Sequence, residues 1–593
     1  MESFVSENST AFSARQKEYL LGFFAGAMQR GVRPFVGHTD SGLLTDDPGS
    51  GFANRAEPVE ETFHGTPVSD LSREELWKYE QNPLDIWEKL LVHAKEDRAP
   101  GAEDVFRFKF HGLFYVAPAQ DSFMLRMRIP GGKMTSHQMR GLADIAGSWG
   151  AGRADITTRA NLQIREFRPK DIVRVLTGVQ SLGLTSRGSG ADNIRNITAS
   201  PLAGIDSREW IDTTPFAVAL DHYILNSRDL YGLPRKFNVA FDGGGAISVV
   251  ADTNDIGFVA ARIGAGRGVP SGVYFRVLLC GITGHKQFAS DSGLLLHPEQ
   301  VVAVAAAMIR VFADHGDRTD RRKARLKYLV DKWGVEKFIA ETEKRLAFPL
   351  MRVPVEDLEH HAVARAGHIG VYPQSQDGLH YIGVSVPVGR LPINQMRALA
   401  DMAEEFGSGE LRLTVWQNLI IPNVPSERVT LAIERLRSVG LECTAGAVLR
   451  GTVACTGSRG CRYAATDTKA HAVELAQRLD ARFKIDQPVN LHVTGCPHSC
   501  AQHYVGDIGL LGTKVNGEEG YQVVLGGGSG RDQGLARELI PSVAYRDLSP
   551  VLEGLFAAFE ERRHPDESFL AFSRRHSVSE LQSFVKNKEP VSR

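Results

Sequence analysis

The chain contains one unit twice. Displaced by 257 positions, IPGGKMTSHQMRGLADIAGSWGAGRADITTRANLQ from Ile129 lies without a gap on VPVGRLPINQMRALADMAEEFGSGELRLTVWQNLI from Val386. Both copies hold QMR-x-LAD, a G-x-G turn and T-x-x-x-N-L, and the register persists at Ser181-Leu182-Gly183-Leu184 against Ser438-Val439-Gly440-Leu441. About a third of more than fifty aligned positions are identical, which marks a duplication. Each copy reads strand (SFMLRMRIP; HYIGVSVPV), helix (SHQMRGLADIAGSW; NQMRALADMAEEF), strand (ADITTRANLQIRE; ELRLTVWQNLIIP), then a second amphipathic helix ending at Gly183 or Gly440. The pattern predicts an α+β fold of two halves related by a pseudo-two-fold, with a ligand cleft between them. An irregular stretch follows each copy, GADNIRNITASPLAG from Gly190 and TVACTGSRGCRYAATDTKAHA from Thr452, and residues at equivalent ends of the halves are expected to face one site.

At 593 residues the chain is long enough for several cores and a large buried cofactor. Lys plus Arg number 69 against 70 Asp plus Glu, a balance that removes the case for a nucleic-acid-binding chain. Only six cysteines occur, far from a secreted disulfide scaffold. The N-terminus lacks a signal-peptide pattern, and its apolar run LLGFFAGAM is too short to span a bilayer. A soluble cytoplasmic protein is expected.

Four of the six cysteines sit in two glycine-marked loops: Cys455 and Cys461, then Cys496 and Cys500. Zinc sites prefer shorter spacings and often histidine, and disulfides conflict with a reducing compartment. Neither is excluded, nor is a set of unrelated buried thiols. A four-thiolate iron–sulfur cluster fits best, because a cube of iron and sulfide tolerates varied spacings once all four thiolates converge. Gly457, Ser458, Gly460, Gly495 and Ser499 would let backbone amides approach the sulfides.

ACTGSRGCRYAATDTKAHA together with TGCPHSCAQHYVGDIGLLG resembles the sirohaem and iron–sulfur assimilatory nitrite and sulfite reductases. The likeness runs from FKFHGLFYVAP near Phe108 through SFMLRMRIPGG, TTRANLQIRE, DNIRNI, LYGLPRKFNVAFD and DHGDRTDRRKARLKY to VLGGG near Gly526. It implies an internally duplicated nitrite/sulfite reductase fold with ferredoxin-like elements round a central sirohaem. By this resemblance Cys455, Cys461, Cys496 and Cys500 hold a [4Fe-4S] cluster, and Cys500 is also the axial ligand of the sirohaem iron. It places Arg126, Arg195, Lys236 and Asn238 on the substrate side of the haem. Arg159 and Gln163 are assigned to the macrocycle, with Arg325 as a further carboxylate partner and Asn418, beside Gln417, in the second copy.

Sirohaem carries eight carboxylates, and the matched motifs supply cations in kind: Arg126, Arg128, Arg153, Arg159, Arg165, Arg195, Arg235, Lys236, Arg318, Arg321 and Arg325. In the sulfite-reducing branch the position matching Asn238 is typically a second lysine, so K-x-N at 236–238 favours nitrite. Sulfite reduction is the alternative. The glycine runs IGAGRGVP and LGGGSGRDQG lack the dinucleotide fingerprint and read as turns. Electrons must therefore come from another protein, which the resemblance names as reduced ferredoxin; Lys469 and Lys514 are candidate docking lysines. The expected layout is an N-terminal arm and linker at 1–104, ferredoxin-like half-domains at 105–185 and 351–445, and sirohaem-binding domains at 186–350 and 446–593, the last with the cluster. A monomer that touches neither nucleic acid nor membrane is expected.

Overall fold

The protein is described by a computed structural model covering residues 61–265, 269–359 and 368–586. Residues 1–60 of the N-terminal arm and linker expected at 1–104 fall outside this range, as does part of the IGAGRGVP turn.

Each copy of the repeat forms round one amphipathic helix. In Ser136–Ser148 the buried residues include Met139, Leu142, Ala143, Ile145 and Ala146; in Ile393–Phe406 they include Met396, Leu399, Ala400, Met402 and Ala403, each 257 positions on. Thr135 opens the first helix with a capping box, its hydroxyl accepting from the Gln138 amide while the Gln138 side chain accepts from the Thr135 amide. Both helices feed one continuous core. Full burial of a single leucine there contributes roughly 1.5–3 kcal/mol.

ADITTRANLQIRE, expected as one strand, is a hairpin. Arg153–Ile156 and Leu162–Phe167 pair antiparallel, and ELRLTVWQNLIIP divides likewise into Glu410–Leu413 and Leu419–Pro425. The turn is closed by the Thr157 amide donating to the Asn161 carbonyl at 2.9 Å. Ala160 and Gln417 take φ of 46° and 59°, which a strand does not contain.

The halves exchange edges. Lys133–Thr135 of the first copy pairs with Glu410–Leu413, and Arg390–Pro392 of the second pairs with Arg153–Ile156, completing two five-stranded sheets. A Cβ on Gly132 would strike the Leu413 carbonyl, and one on Gly389 the Ile156 carbonyl. Arg140 reaches Asp401 at 2.8 Å while Arg397 reaches Asp144 at 2.7 Å. Every one of these contacts maps onto its mate by the 257 displacement, so the two copies face each other across a pseudo-two-fold.

Two further sheets carry the duplication beyond the recognisable sequence match. In one, Thr198–Ala199, Val239–Asp242 and Ile256–Ile263 run parallel, followed by antiparallel Gly272–Leu279 and Ser290–Leu296. In the other, Thr452–Ala454, Leu491–Thr494 and Ile508–Val515 run parallel, followed by antiparallel Glu518–Leu525 and Arg537–Ala544. Each has its own apolar core. Residues 61–104 fold onto this body through helices that include Arg73–Glu80 and Trp87–Lys95, with Glu75, Lys78 and Leu90 buried. Among the described residues no helix is long and apolar enough to cross a membrane.

Candidate functional site

The site draws on opposite ends of the two parallel-strand sheets, whereas the repeat alone suggested equivalent ends. Arg195 precedes Thr198–Ala199, and Lys236 and Asn238 lead into Val239–Asp242; Cys455 and Cys461 follow Thr452–Ala454, and Cys496 and Cys500 follow Leu491–Thr494. The hairpin tip of the first copy reaches between them, with the Thr158 hydroxyl donating to the Cys500 carbonyl at 3.1 Å.

Short local bonds shape the cysteine loops. The Cys455 amide donates to the Val493 carbonyl, tying one loop to the strand that carries the other. The Gly495 amide donates to Cys455 Sγ at 3.2 Å, and the Thr468 hydroxyl donates to the Cys455 carbonyl at 2.8 Å. Gly457, at φ 75°, lies so close to the Thr468 amide that a side chain there would collide. Arg165 ties the first copy to this loop, donating to Thr456 Oγ1 at 2.7 Å while its Nε faces Asp155 at 3.2 Å.

All six cysteines are free thiols. Burial, together with the charges of Cys500, Cys461 and Cys455, pushes the Cys496 thiol up to about 11; burial and the same repulsion raise Cys500. The four thiols therefore sit within electrostatic reach of one another. Among the described residues no three His, Cys, Asp or Glu side chains close on a single ion. The mutual repulsion of the four thiolates is what bound iron would relieve. Cys500 lies deep in the molecule yet its side chain is accessible, as expected of a residue lining an internal cavity.

The cations divide into two groups. Arg325 is held by Asp255 at 2.7 and 2.9 Å, Arg321 by Asp192 at 2.8 and 3.0 Å, and Arg318 by Glu75 at 2.6 Å. Arg126, Arg159, Arg195 and Lys236 have no carboxylate partner among the described residues. Arg126 lies over the Phe114 ring, 4.6 Å from its centre. Arg195 donates to the carbonyls of Ser189 and Ala191, and Arg159 gives two bonds to Asn254 Oδ1 at 2.7 and 2.8 Å. Burial pushes Arg126 and Arg159 down to about 10, still charged at neutral pH. Burial and the charges of Arg325, Arg195 and Arg235 push Lys236 down to about 7, against the opposing pull of Cys500. Phe237 is bridged to Ile194 and buried, which puts its neighbours Lys236 and Asn238 together on the other face. The Asn238 amide is fixed by Asp255 at 2.9 Å.

Three expected site residues are already engaged within the protein. Arg325 spends its guanidinium on Asp255, as above. Gln163 accepts from Arg165 at 2.7 Å, and Asn418 accepts from the Val386 amide at 2.9 Å while its amide nitrogen lies 3.0 Å from His368. Gln417 bonds the backbone of Ala454, one residue before Cys455. Lys469 is unsuited to surface docking: it is buried, donates to the Val388 carbonyl and lies 3.4 Å from Asp155. Lys514 is exposed.

Sequence reasoning missed Asp192, Asp255 and Asn254, whose roles arise only from long-range pairing. A readable signal did exist in the repeat. The positions 257 beyond Arg126, Arg159 and Arg165 are Gly383, Trp416 and Pro422, so the second copy keeps the architecture and loses the cations. Its equivalent space is filled: a Cβ on Gly383 would strike the His368 carbonyl, and Trp416 donates to the Ser248 carbonyl at 3.1 Å.

A family model described as "Nitrite and sulphite reductase 4Fe-4S domain" matches residues 190–350 and 445–589, and one described as "Nitrite/Sulfite reductase ferredoxin-like half domain" matches 116–182 and 372–439. The chain is 38% identical over 482 residues to the chloroplastic ferredoxin–nitrite reductase of Zea mays, covering 78% of this chain and 84% of that protein. It is 35% identical over 500 residues to the ferredoxin–nitrite reductase of Synechococcus elongatus, covering 82% and 96%. The solved structure of the Mycobacterium tuberculosis NirA protein superposes with a TM-score of 0.79 at 27% identity, covering 86% of this chain and 98% of that one.

Proposed function

Because the chain belongs to the nitrite and sulphite reductase family, we propose that it reduces nitrite to ammonia with electrons from reduced ferredoxin. The observation that carries the reading is a group of cations without a carboxylate ion pair: Arg126 and Lys236 are within electrostatic reach of a deep but accessible thiol, Cys500, and Arg159 and Arg195 are within reach of Arg126. Cations without carboxylates suit a polyanionic macrocycle and a small anionic substrate. A cluster alone would need neither.

In this reading Cys455, Cys461, Cys496 and Cys500 would hold a [4Fe-4S] cluster, Cys500 would also be a ligand of the sirohaem, and Arg159 with its neighbours would take the macrocycle carboxylates. When bound, the sirohaem and cluster would supply one-electron reduction of the nitrite. The residues supply charge and protons. Arg126 and Arg195 stay protonated and hold the negative charge of the nitrite oxygens. Lys236, with its pKa drawn towards neutrality, can release a proton as each oxygen leaves as water, and Asn238 can donate an amide hydrogen bond to an oxygen. The six-electron, eight-proton reduction of nitrite to ammonium makes no demand for a nucleophile.

We read the chain as a monomer, and its low cysteine content supports a reducing, cytoplasmic compartment. The test is the holoprotein itself. It is expected to have haem and cluster absorption, to form ammonium from nitrite with reduced ferredoxin, and to lose ferredoxin-driven turnover faster than dithionite-driven turnover as salt rises. Absence of haem bands, or a higher kcat/KM for sulfite than for nitrite, would overturn the reading.

A further inference from the structure

Helix Arg73–Glu80 lies outside the residues matched by either family model, yet it enters the walls of the anion pocket. Lys78, only 5% exposed, donates from Nζ to the Leu233 carbonyl at 2.9 Å and faces the Gly232 carbonyl at 3.4 Å. It also pairs with Glu75 and stands 3.6 Å from Asp192 Oδ2. These contacts touch two loops at once: residues 190–196, which carry Arg195, and residues 231–238, which carry Lys236 and Asn238.

The two loops are knitted to each other as well. The Leu233 amide donates to the Asp192 carbonyl at 2.9 Å, the Gly232 amide to Asn193 Oδ1 at 3.1 Å, and the Arg195 amide to the Phe237 carbonyl at 2.8 Å. Asp192 is fully buried and is the shared anion of Lys78, Arg321 and Arg235, the last at 3.7 Å. Its charge is balanced by these three cations, and Arg195, three residues away in the chain, is left without a carboxylate. Without Lys78, Asp192 keeps Arg321 and Arg235 but loses the cation that joins it to the Leu233 carbonyl, and that carbonyl loses its donor.

We propose that Lys78 is a positioning residue of the nitrite pocket: through Asp192 and the Leu233 carbonyl it holds the two loops so that Arg195 and Lys236 remain free for the anion. The proposal rests on the reading of this site as a nitrite pocket. A buried lysine with one carboxylate neighbour would serve to anchor the helix; contacts to both pocket loops give it a second task.

The test compares Lys78→Met, Asp192→Asn and the double variant as holoenzymes. For Lys78→Met, haem and cluster absorbance should match the wild type, while nitrite KM and the midpoint of a nitrite titration followed in the haem band rise about tenfold and kcat changes less than about threefold. In the Asp192→Asn background the added loss on removing Lys78 should be smaller than in the wild type, because one of the two contacts through which Lys78 acts is already gone. Unchanged nitrite affinity in Lys78→Met, or additive losses in the double variant, would overturn the proposal. If Lys78→Met fails to assemble, Glu75→Gln decides: it keeps the lysine but loosens its pair, and should raise nitrite KM about threefold, whereas an unchanged KM speaks against the role. Should the wild type reduce sulfite instead, the substrate reading fails, and the same comparison run with sulfite still decides the role of Lys78.

Discussion

Arg325 and Arg195 look alike in the sequence and differ in what they face. Arg325 is neutralised by Asp255, whereas Arg195 spends its donors on backbone carbonyls and keeps its charge. A guanidinium bonded only to carbonyls remains attractive to an anion, because a carbonyl dipole does not cancel a full charge. The same division applies to the pair at 236 and 238. Lys236 brings a titratable cation, and Asn238 brings a neutral amide set beside it by the Asp255 bond to its backbone. Nitrite is a monoanion with two oxygens and sulfite can be a dianion with three, so Asn238→Lys is expected to raise kcat/KM for sulfite relative to nitrite by about tenfold. Steady-state kinetics with both anions decide it; an unchanged ratio would remove Asn238 from specificity.

At the scale of elements, the hairpin tips and the exchanged edge strands do the positioning. The tip at Thr157–Asn161 delivers Arg159 and Thr158 to the site, and its mate at Thr414–Asn418 fills the corresponding space with Trp416. The copies come close enough at Gly132 and Gly389 that their backbones leave no room for a methyl group. Gly389→Ala meets two penalties, a φ of 72° and collision with the Ile156 carbonyl; Gly152→Ala meets only the first, with φ 66° and open space around it. The expected losses are about 3 kcal/mol or more for Gly389→Ala and about 1 kcal/mol for Gly152→Ala. Denaturant midpoints of both variants measure the difference, and equal losses would mean that the close approach is not limiting.

The whole molecule uses its symmetry for architecture and breaks it for chemistry. Asp155 illustrates the joining. Burial pushes its carboxyl up, but Lys469, Arg165 and Arg390 together pull it down to about 2, and these cations come from three different parts of the chain. Because its folded pKa is depressed, the stability it contributes is complete above about pH 4 and disappears as pH falls through 2. Asp155→Asn is therefore expected to cost about 3 kcal/mol or more at pH 7, where three cations lose their anion. The cost should shrink between pH 4 and 2, as the wild-type carboxylate protonates too. Urea titrations across that range test the sign, and a pH-independent difference would assign the loss to packing. The buried histidines His368 and His503, held down to about 3 and 4 by burial, erode stability earlier, as pH drops below about 6.5.

The duplication, the amphipathic helices and the cysteine loops were legible in the chain because each is a local pattern. Buried positions repeat at helical spacing within one segment, Met139 and Leu142 as much as Met396 and Leu399, and a gapless displacement preserves them. The hairpin turns were not legible, since neither 157–161 (TTRAN) nor 414–418 (TVWQN) holds a glycine or proline and only the left-handed Ala160 and Gln417 break the strand. Nor could the chain reveal which of its many arginines keep their charge. That depends on whether a carboxylate more than a hundred residues away, such as Asp192 for Arg321, is folded against them. Two similar halves and a set of thiols and cations can be read along the chain. The tertiary structure decided which cations face an empty partner position, because neutralisation of a charge acts over a few ångströms of space and is indifferent to distance along the chain.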